Sequence, residues 1–344
     1  MRQFSLSANI EEGFAQKAQY IVTPNARQVA EGIVKGFHSG VHSFTIIGSY
    51  GTGKSSFLLA LERDLVGKKR KELLSPSVLS KEKEFEVWKI VGDYRELSSL
   101  LAQKLSVEGT TENIFDALRS EYHRLRSEGK FLVIMIDEFG KVLEHAAKNS
   151  PERELYFIQK FAEFVNVPTR SILLLTTLHQ NFSAYARKLT DVQKEEWTKV
   201  KGRFQELVFV EPVEQLLYLA SARTTPGRKR KGDNSLVSAL VSLARKTGFV
   251  SHGFSEDTAQ VLAPLEPFAA YVITQAIQRY GQNERSLFSF LNARGASSLS
   301  EYRGKVYHLQ CCYDYIYYSF YSYLKEANAD SMQWSSMQVA IERV

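Results

Sequence analysis

Apolar positions along this chain recur in two rhythms. Residues 44–47, 85–91, 131–136 and 171–177 are short apolar runs rich in β-branched and aromatic side chains, the pattern of strands. A fifth run follows a turn and an arginine within 200–210. Between them lie stretches with helical spacing. Val29, Ile33 and Phe37 share one face of a helix predicted over 26–37, with Pro24 marking its start, and 10–18, 55–63, 97–105 and 111–126 also read as helices. Strands that alternate with helices predict a mostly parallel sheet of five strands. The run at 131–136 is apolar at every position, as a strand covered on both faces should be.

From residue 211 the strand signals stop. Residues 213–222, 236–246, 258–262, 267–279 and 285–291 read as helices, so the expected division is a helical segment at 1–40, an α/β core at 41–210, an all-helical domain at 211–300 and a tyrosine-rich helical extension at 301–344. Tyr307, Tyr313, Tyr315, Tyr317, Tyr318, Tyr321 and Tyr323 crowd that extension. Tyrosines stack bases, but a stripe at helical spacing reads first as a packing surface. The chain ends without a glycine or proline stop signal, which raises the expectation of further domains beyond it.

Candidate chemistry sits at the ends of the strands. Gly48-Ser49-Tyr50-Gly51-Thr52-Gly53-Lys54-Ser55 fits G-x-x-x-x-G-K-[ST] and falls between a strand and a helix that begins Ser55-Ser56. Glycines let successive N–H groups turn toward phosphate oxygens, and the positive end of the following helix adds attraction. Lys54 would reach the β- and γ-phosphates, and the Ser55 hydroxyl would hold Mg²⁺. The alternative is a glycine turn before a core helix.

Asp137 and Glu138 follow the fully apolar strand, at the carboxyl end where ligands of open α/β sheets bind. Asp137 is the candidate Mg²⁺ group and Glu138 the candidate base for an attacking water; capping of the next helix is the alternative. A second carboxylate beside the first implies hydrolysis. Thr177 ends another strand and is the favoured γ-phosphate sensor, with His179 and Gln180 as rivals. An arginine in a first helical turn opposes the helix dipole, so Arg285 calls for an anion nearby.

Composition narrows the class. The 344 residues are 44% hydrophobic and 24% charged, ordinary for a globular protein of two or three domains. No run approaches the roughly 20 apolar residues of a membrane span, and residues 1–6 lack a signal-peptide core, so the chain reads as cytoplasmic with no membrane partner. The two cysteines, Cys311 and Cys312, are adjacent and suit packing rather than a disulfide framework or metal site. A net charge of +6 tilts modestly toward an acidic partner. The basic clusters 68–71 and 228–231 are the candidate nucleic-acid contacts, or else solvated loops.

In the order of these parts the chain resembles the AAA+ ATPases, within the P-loop NTPases that carry a glutamate after the magnesium-site aspartate. The likeness runs through motifs over roughly residues 20–295. It implies a P-loop NTPase core followed by a helical lid, with ATP and Mg²⁺ as cofactors and a homo-oligomer or other protein subunits as partners. By the same resemblance, Gly48 through Ser55 with Ser56 bind nucleotide, Arg203 resembles the finger that reaches a neighbouring subunit's nucleotide, and Arg285 resembles the lid arginine that touches the γ-phosphate of its own subunit. A surface ion pair is the alternative for Arg203. Two departures stand out: the sensor strand lacks an asparagine, and 224–256 is long for a lid connection. More narrowly, Ile136 through Lys141 and Gln282 through Leu291 look like the ATPase modules of large bacterial anti-phage defence and DNA-modification proteins. A nucleotide-gated scaffold with little turnover is the alternative function.

Overall fold

The computed structural model describes residues 9–13, 20–67, 71–80, 84–108, 110–186, 189–223, 234–250, 254–280, 287–292, 299, 302–325 and 330–342. The chain divides into two compact units, one of Met1–Ser49 with Gly53–Val210, the other of Glu211–Val344 with Tyr50–Thr52.

In the first unit, α1 (Pro24–His38) starts where Thr23 accepts a hydrogen bond from the Ala26 N–H at 3.0 Å, with proline at the first helical position. Then come β1 (Ser43–Ile47), α2 (Lys54–Val66), α3 (Pro76–Leu79), β2 (Glu84–Val91), α4 (Leu97–Leu105), α5 (Thr111–Ser127) and β3 (Lys130–Asp137). The remainder is α6 (Phe139–Lys148), α7 (Pro151–Val165), β4 (Ile172–Leu178), a 3₁₀ turn (Phe182–Ala186), α8 (Asp191–Lys201) and β5 (Gln205–Val208). The described part of the segment predicted to be helical at 10–18 forms a turn at 10–12, and 14–18 lies outside the described residues.

All four strand pairings are parallel, in the order β2-β3-β4-β1-β5. β3 shows why its run is apolar throughout. Leu132, Ile134 and Ile136 join a core with α4 to α8, whereas Phe131, Val133 and Met135 join a second core with α1 and α2. After β1 the chain crosses to the far edge at β2, returns through β3 and β4, and adds β5 on the other side of β1. The carboxyl end of β1 therefore lies where strand order reverses, the place where open α/β sheets bind ligands.

The described elements of the second unit are helices: α9 (Val213–Arg223), α10 (Asn234–Lys246), α11 (Glu256–Val261), α12 (Pro267–Tyr280), α13 (Leu287–Asn292), α14 (Leu309–Lys325) and α15 (Ser331–Glu342). Its centre is α12, packed on α9, α10 and α14. The tyrosines of the last stretch split between packing and solvent: Tyr307 and Tyr315 are buried, Tyr318 and Tyr321 exposed. Cys312 is buried and Cys311 half-buried, and both thiols are free. No described helix is long and apolar enough to cross a membrane.

Candidate functional site

The phosphate-loop residues lie between β1 and α2. Gly51 and Gly53 adopt φ of 72° and 97°, a region that favours glycine, and Gly53 is the N-cap of α2. That cap makes no side-chain hydrogen bond, and the first turn of α2 carries no acid. The N–H groups at this helix start are the donors that an anion held in the loop would meet. Lys54 opens the helix, and its ammonium donates to the Ser49 carbonyl at 2.8 Å and to that of Gly48. Burial lowers its pKa to about 8, against the pull of Asp137 and then Glu138, which raise it. An anion entering the loop would favour the charged form. Thr52 is buried, and Ser55 and Ser56 are half-buried in the first turn.

The acidic pair stands two strands away. Asp137, buried at the end of β3, accepts from the Thr177 hydroxyl at 2.5 Å and from the Glu138 N–H at 3.1 Å. Thr177, buried on β4, also accepts from the Glu138 N–H at 2.9 Å. One hydroxyl thus fixes both acids. Glu138 has φ 54°, uncommon for a residue with a side chain. It occupies the N-cap of α6 yet makes no side-chain cap bond, so the capping alternative does not describe what its carboxylate does. That carboxylate pairs instead with Lys141, one turn on, and both side chains are well exposed.

The site also rests on residues that motif reading passes over. Gly92 follows β2, and its N–H donates to the Asp137 carbonyl at 2.7 Å. A Cβ there would meet the Glu138 carbonyl oxygen at 2.6 Å, so the backbone that presents Glu138 fits only against glycine. The available signal was a glycine directly after a strand, which marks close backbone approach as often as a turn. Beside the phosphate loop, the Gly48 N–H donates to the Leu178 carbonyl at 3.0 Å, which sets His179 next to Gly48 at the same sheet edge. Burial, and then the Lys54 charge, lower the His179 pKa to about 4.

The structure thus gathers Gly48, Ser49, Gly53, Lys54, Ser55, Asp137, Glu138 and Thr177 at the carboxyl edge of one sheet. Arg203 is not among them. Its guanidinium bonds Glu163 at 2.5 and 3.1 Å and the Lys199 carbonyl at 2.8 Å. Its own carbonyl accepts from Asn166, whose side chain also takes the His42 N–H just ahead of β1. Arg203 therefore sits at the amino edge: it precedes Gln205, the partner of Phe44, by two residues, which puts it about 20 Å along the strand direction from Gly48 at ~3.3 Å per residue. Arg285, the cluster 228–231 and residues 68–70 lie outside the described residues. Lys71 is described and bonds the Gly67 carbonyl.

Asp137 and the Ser55 hydroxyl are oxygen donors of the kind Mg²⁺ takes, one carboxylate and one hydroxyl with substrate phosphates completing the shell. Among the described residues there is no group of three or more His, Cys, Asp or Glu side chains able to hold a metal by themselves.

No family model and no curated protein matches this chain. Solved structures do. The ORC2 protein of Aeropyrum pernix, in ADPNP–ADP complexes, is similar at 13% identity over 80% of this chain and 68% of that one, with a TM-score of 0.43. CDC6P of Pyrobaculum aerophilum matches at 12% identity over 96% and 88%, TM-score 0.41. PCH-2 of C. elegans matches at 14% identity over 87% and 67%, TM-score 0.36. Likeness at this level carries no substrate or partner across.

Proposed function

We propose that this chain is an AAA+-type ATPase that hydrolyses ATP with Mg²⁺ and turns the cycle into a conformational change on a macromolecular partner. One observation carries the reading: the start of α2 with Lys54, and the Asp137–Glu138 pair locked by Thr177, occupy the same sheet edge at the point of strand reversal. The loop N–H groups and Lys54 bind the phosphates. Ser55 and Asp137 would hold Mg²⁺, which supplies charge neutralisation on the β- and γ-phosphate oxygens. Glu138 takes the proton from a water that attacks the γ-phosphorus, and the bond to the bridging oxygen of ADP breaks. Arg285, and Arg203 acting on the nucleotide of a second copy, are proposed to meet the charge of the transferred group, as arginine's fixed fork suits. Nucleic acid is proposed as partner through the clusters 68–71 and 228–231. A link to bacterial defence rests on the motif likeness alone.

The test separates binding from turnover. Glu138→Gln should bind ATP with unchanged affinity and lose steady-state hydrolysis, whereas Lys54→Ala should weaken binding. Unchanged hydrolysis in Glu138→Gln sinks the assignment of the base. The contact of Glu138 with Lys141 favours a second reading, a nucleotide-gated scaffold with little turnover. Negligible hydrolysis by the unmodified chain, with and without duplex DNA, together with tight ATP binding would establish that one.

A further inference from the structure

We propose that Thr177 is a positioning residue of this site and makes no contact with nucleotide: its hydroxyl fixes which oxygen of Asp137 is left for the metal and holds the backbone turn from which Glu138 acts. The metal and the attacking water rest on the function proposed above; the tie itself does not.

The end of β4 is joined to both halves of the site. β3 and β4 run parallel with Ile136 beside Thr176, so the next residue of each, Asp137 and Thr177, meet where the strands end. Thr177 is only 1% exposed, and its hydroxyl donates to Asp137 Oδ1 at 2.5 Å. The Glu138 N–H closes a triangle, since it lies 2.9 Å from the Thr177 oxygen and 3.1 Å from the same Oδ1. One residue on, the Leu178 carbonyl takes the Gly48 N–H of the phosphate loop at 3.0 Å. Two adjacent residues of one strand therefore set the acids and the loop at a fixed separation.

A hydrogen count argues against the sensor role that position at a strand end offers. A threonine hydroxyl carries one hydrogen and two lone pairs. Here the hydrogen goes to Asp137 and one lone pair takes the Glu138 N–H. Thr177 has no hydrogen left for a γ-phosphate oxygen, and its remaining lone pair would repel one. The same triangle has two consequences. Asp137 Oδ1 is occupied twice, whereas Oδ2 makes no hydrogen bond among the described residues, so a cation meets a carboxylate fixed to give a single oxygen. Glu138 is held at φ 54° and ψ 32°, a left-handed conformation that a residue with a side chain keeps only when its surroundings impose it.

Thr177→Val keeps the shape and removes the hydroxyl, whereas Thr177→Ser keeps the hydroxyl. In the full nucleotide-free chain, hydrogen exchange at the Glu138 amide should be slow in the parent and in Thr177→Ser, and up to about tenfold faster in Thr177→Val, the worth of one hydrogen bond. Equal exchange in all three overturns the tie. With EDTA present, the ratio of ATP to ADP affinity should be the same in Thr177→Val as in the parent. A loss of about tenfold or more in ATP affinity with ADP unaffected, the scale of one hydrogen bond to a charged group, makes Thr177 a phosphate contact and overturns the proposal. Mn²⁺ binding to the protein with a non-hydrolysable ATP analogue, read by electron paramagnetic resonance, should weaken by about 10- to 100-fold in Thr177→Val and kcat should fall with it, the range found when the group behind a metal ligand is removed; Thr177→Ser should restore both. Unchanged Mn²⁺ affinity and kcat in Thr177→Val, or a Thr177→Ser protein no better than Thr177→Val, overturns the positioning role. Should Glu138→Gln still hydrolyse ATP while Thr177→Val shows the exchange and Mn²⁺ changes, the tie stands and the assignment of Glu138 as the base is what fails. If the parent binds no nucleotide, the exchange measurement still decides the tie, and the nucleotide site is what fails.

Discussion

Replacing Gly92 with alanine perturbs the base without touching the phosphate loop. The new Cβ would start 2.6 Å from the Glu138 carbonyl oxygen, 3.0 Å from its carbonyl carbon and 3.1 Å from the Asp137 oxygen. Comfortable contact between such atoms begins near ~3.5 Å, so the Glu138 backbone must retreat by roughly 0.5 to 1 Å. It cannot retreat freely, because the Gly92 N–H holds the Asp137 carbonyl at 2.7 Å and Thr177 holds both acids from the other side. Overpacking of this kind costs about 1 to 3 kcal/mol of stability. A displacement on the order of 1 Å at a reacting group can cost ~100-fold in rate. The expected outcome is a folded protein whose kcat falls by about 10- to 100-fold while its ATP affinity changes by less than about threefold, since Lys54 lies two strands from the clash. Steady-state hydrolysis and equilibrium binding of a fluorescent ATP analogue read the two quantities separately. A Gly92→Ala protein with wild-type kcat would refute the claim that this backbone position sets the base, and equal losses in binding and turnover would refute its confinement to Glu138.

Other consequences can be checked directly. Because Lys54 sits near pKa 8 in the folded protein and at the ordinary lysine value when unfolded, the unfolded chain binds more protons between about pH 8 and 10.5. Stability of the nucleotide-free protein should therefore rise with pH across that window, a rise that Lys54→Met abolishes; a flat profile in the parent refutes it. ATP binding above about pH 8 should take up a proton, which calorimetry in two buffers of different ionisation enthalpy will detect or fail to detect. Buried Glu154 has its pKa raised to about 7, first by burial and next by Glu96, so the folded state binds more protons from about pH 4.5 upward. The stability this adds at low pH is lost as pH rises through 7. Glu154→Gln keeps an acceptor for the Leu97 N–H and should flatten that decline; an unchanged slope in chemical denaturation contradicts the cause given. Arg203 lies away from its own loop, so mixing Arg203→Ala with Lys54→Ala subunits should restore part of the lost hydrolysis. Absence of any rescue would remove its role on a second copy.

The α/β class was legible because burial on both faces of β3 demands the unbroken run Phe131 to Ile136, and the phosphate-loop pattern because its spacing is set by local backbone geometry. Helix α7 was not drawn from the sequence although its pattern is helical: buried Leu155, Phe157, Ile158, Phe161, Ala162, Phe164 and Val165 fall on one half of its circumference.

Local pattern thus determined by itself that Gly48 to Ser55 forms a strand-to-helix turn and that Asp137 and Glu138 end a buried strand. Which strands are neighbours was decided only by the crossovers, since periodicity along a chain contains no term for strand order. That order brings Thr177 to Asp137 across 40 residues, sets Gly92 against the Glu138 carbonyl, and carries Arg203 to the edge opposite the loop. Residue type also left open what each side chain would touch. Thr177 became the tie between two acids and His179 the neutral ring beside Lys54, because hydrogen-bond partners and burial belong to the packed sheet edge rather than to either residue's place in the sequence.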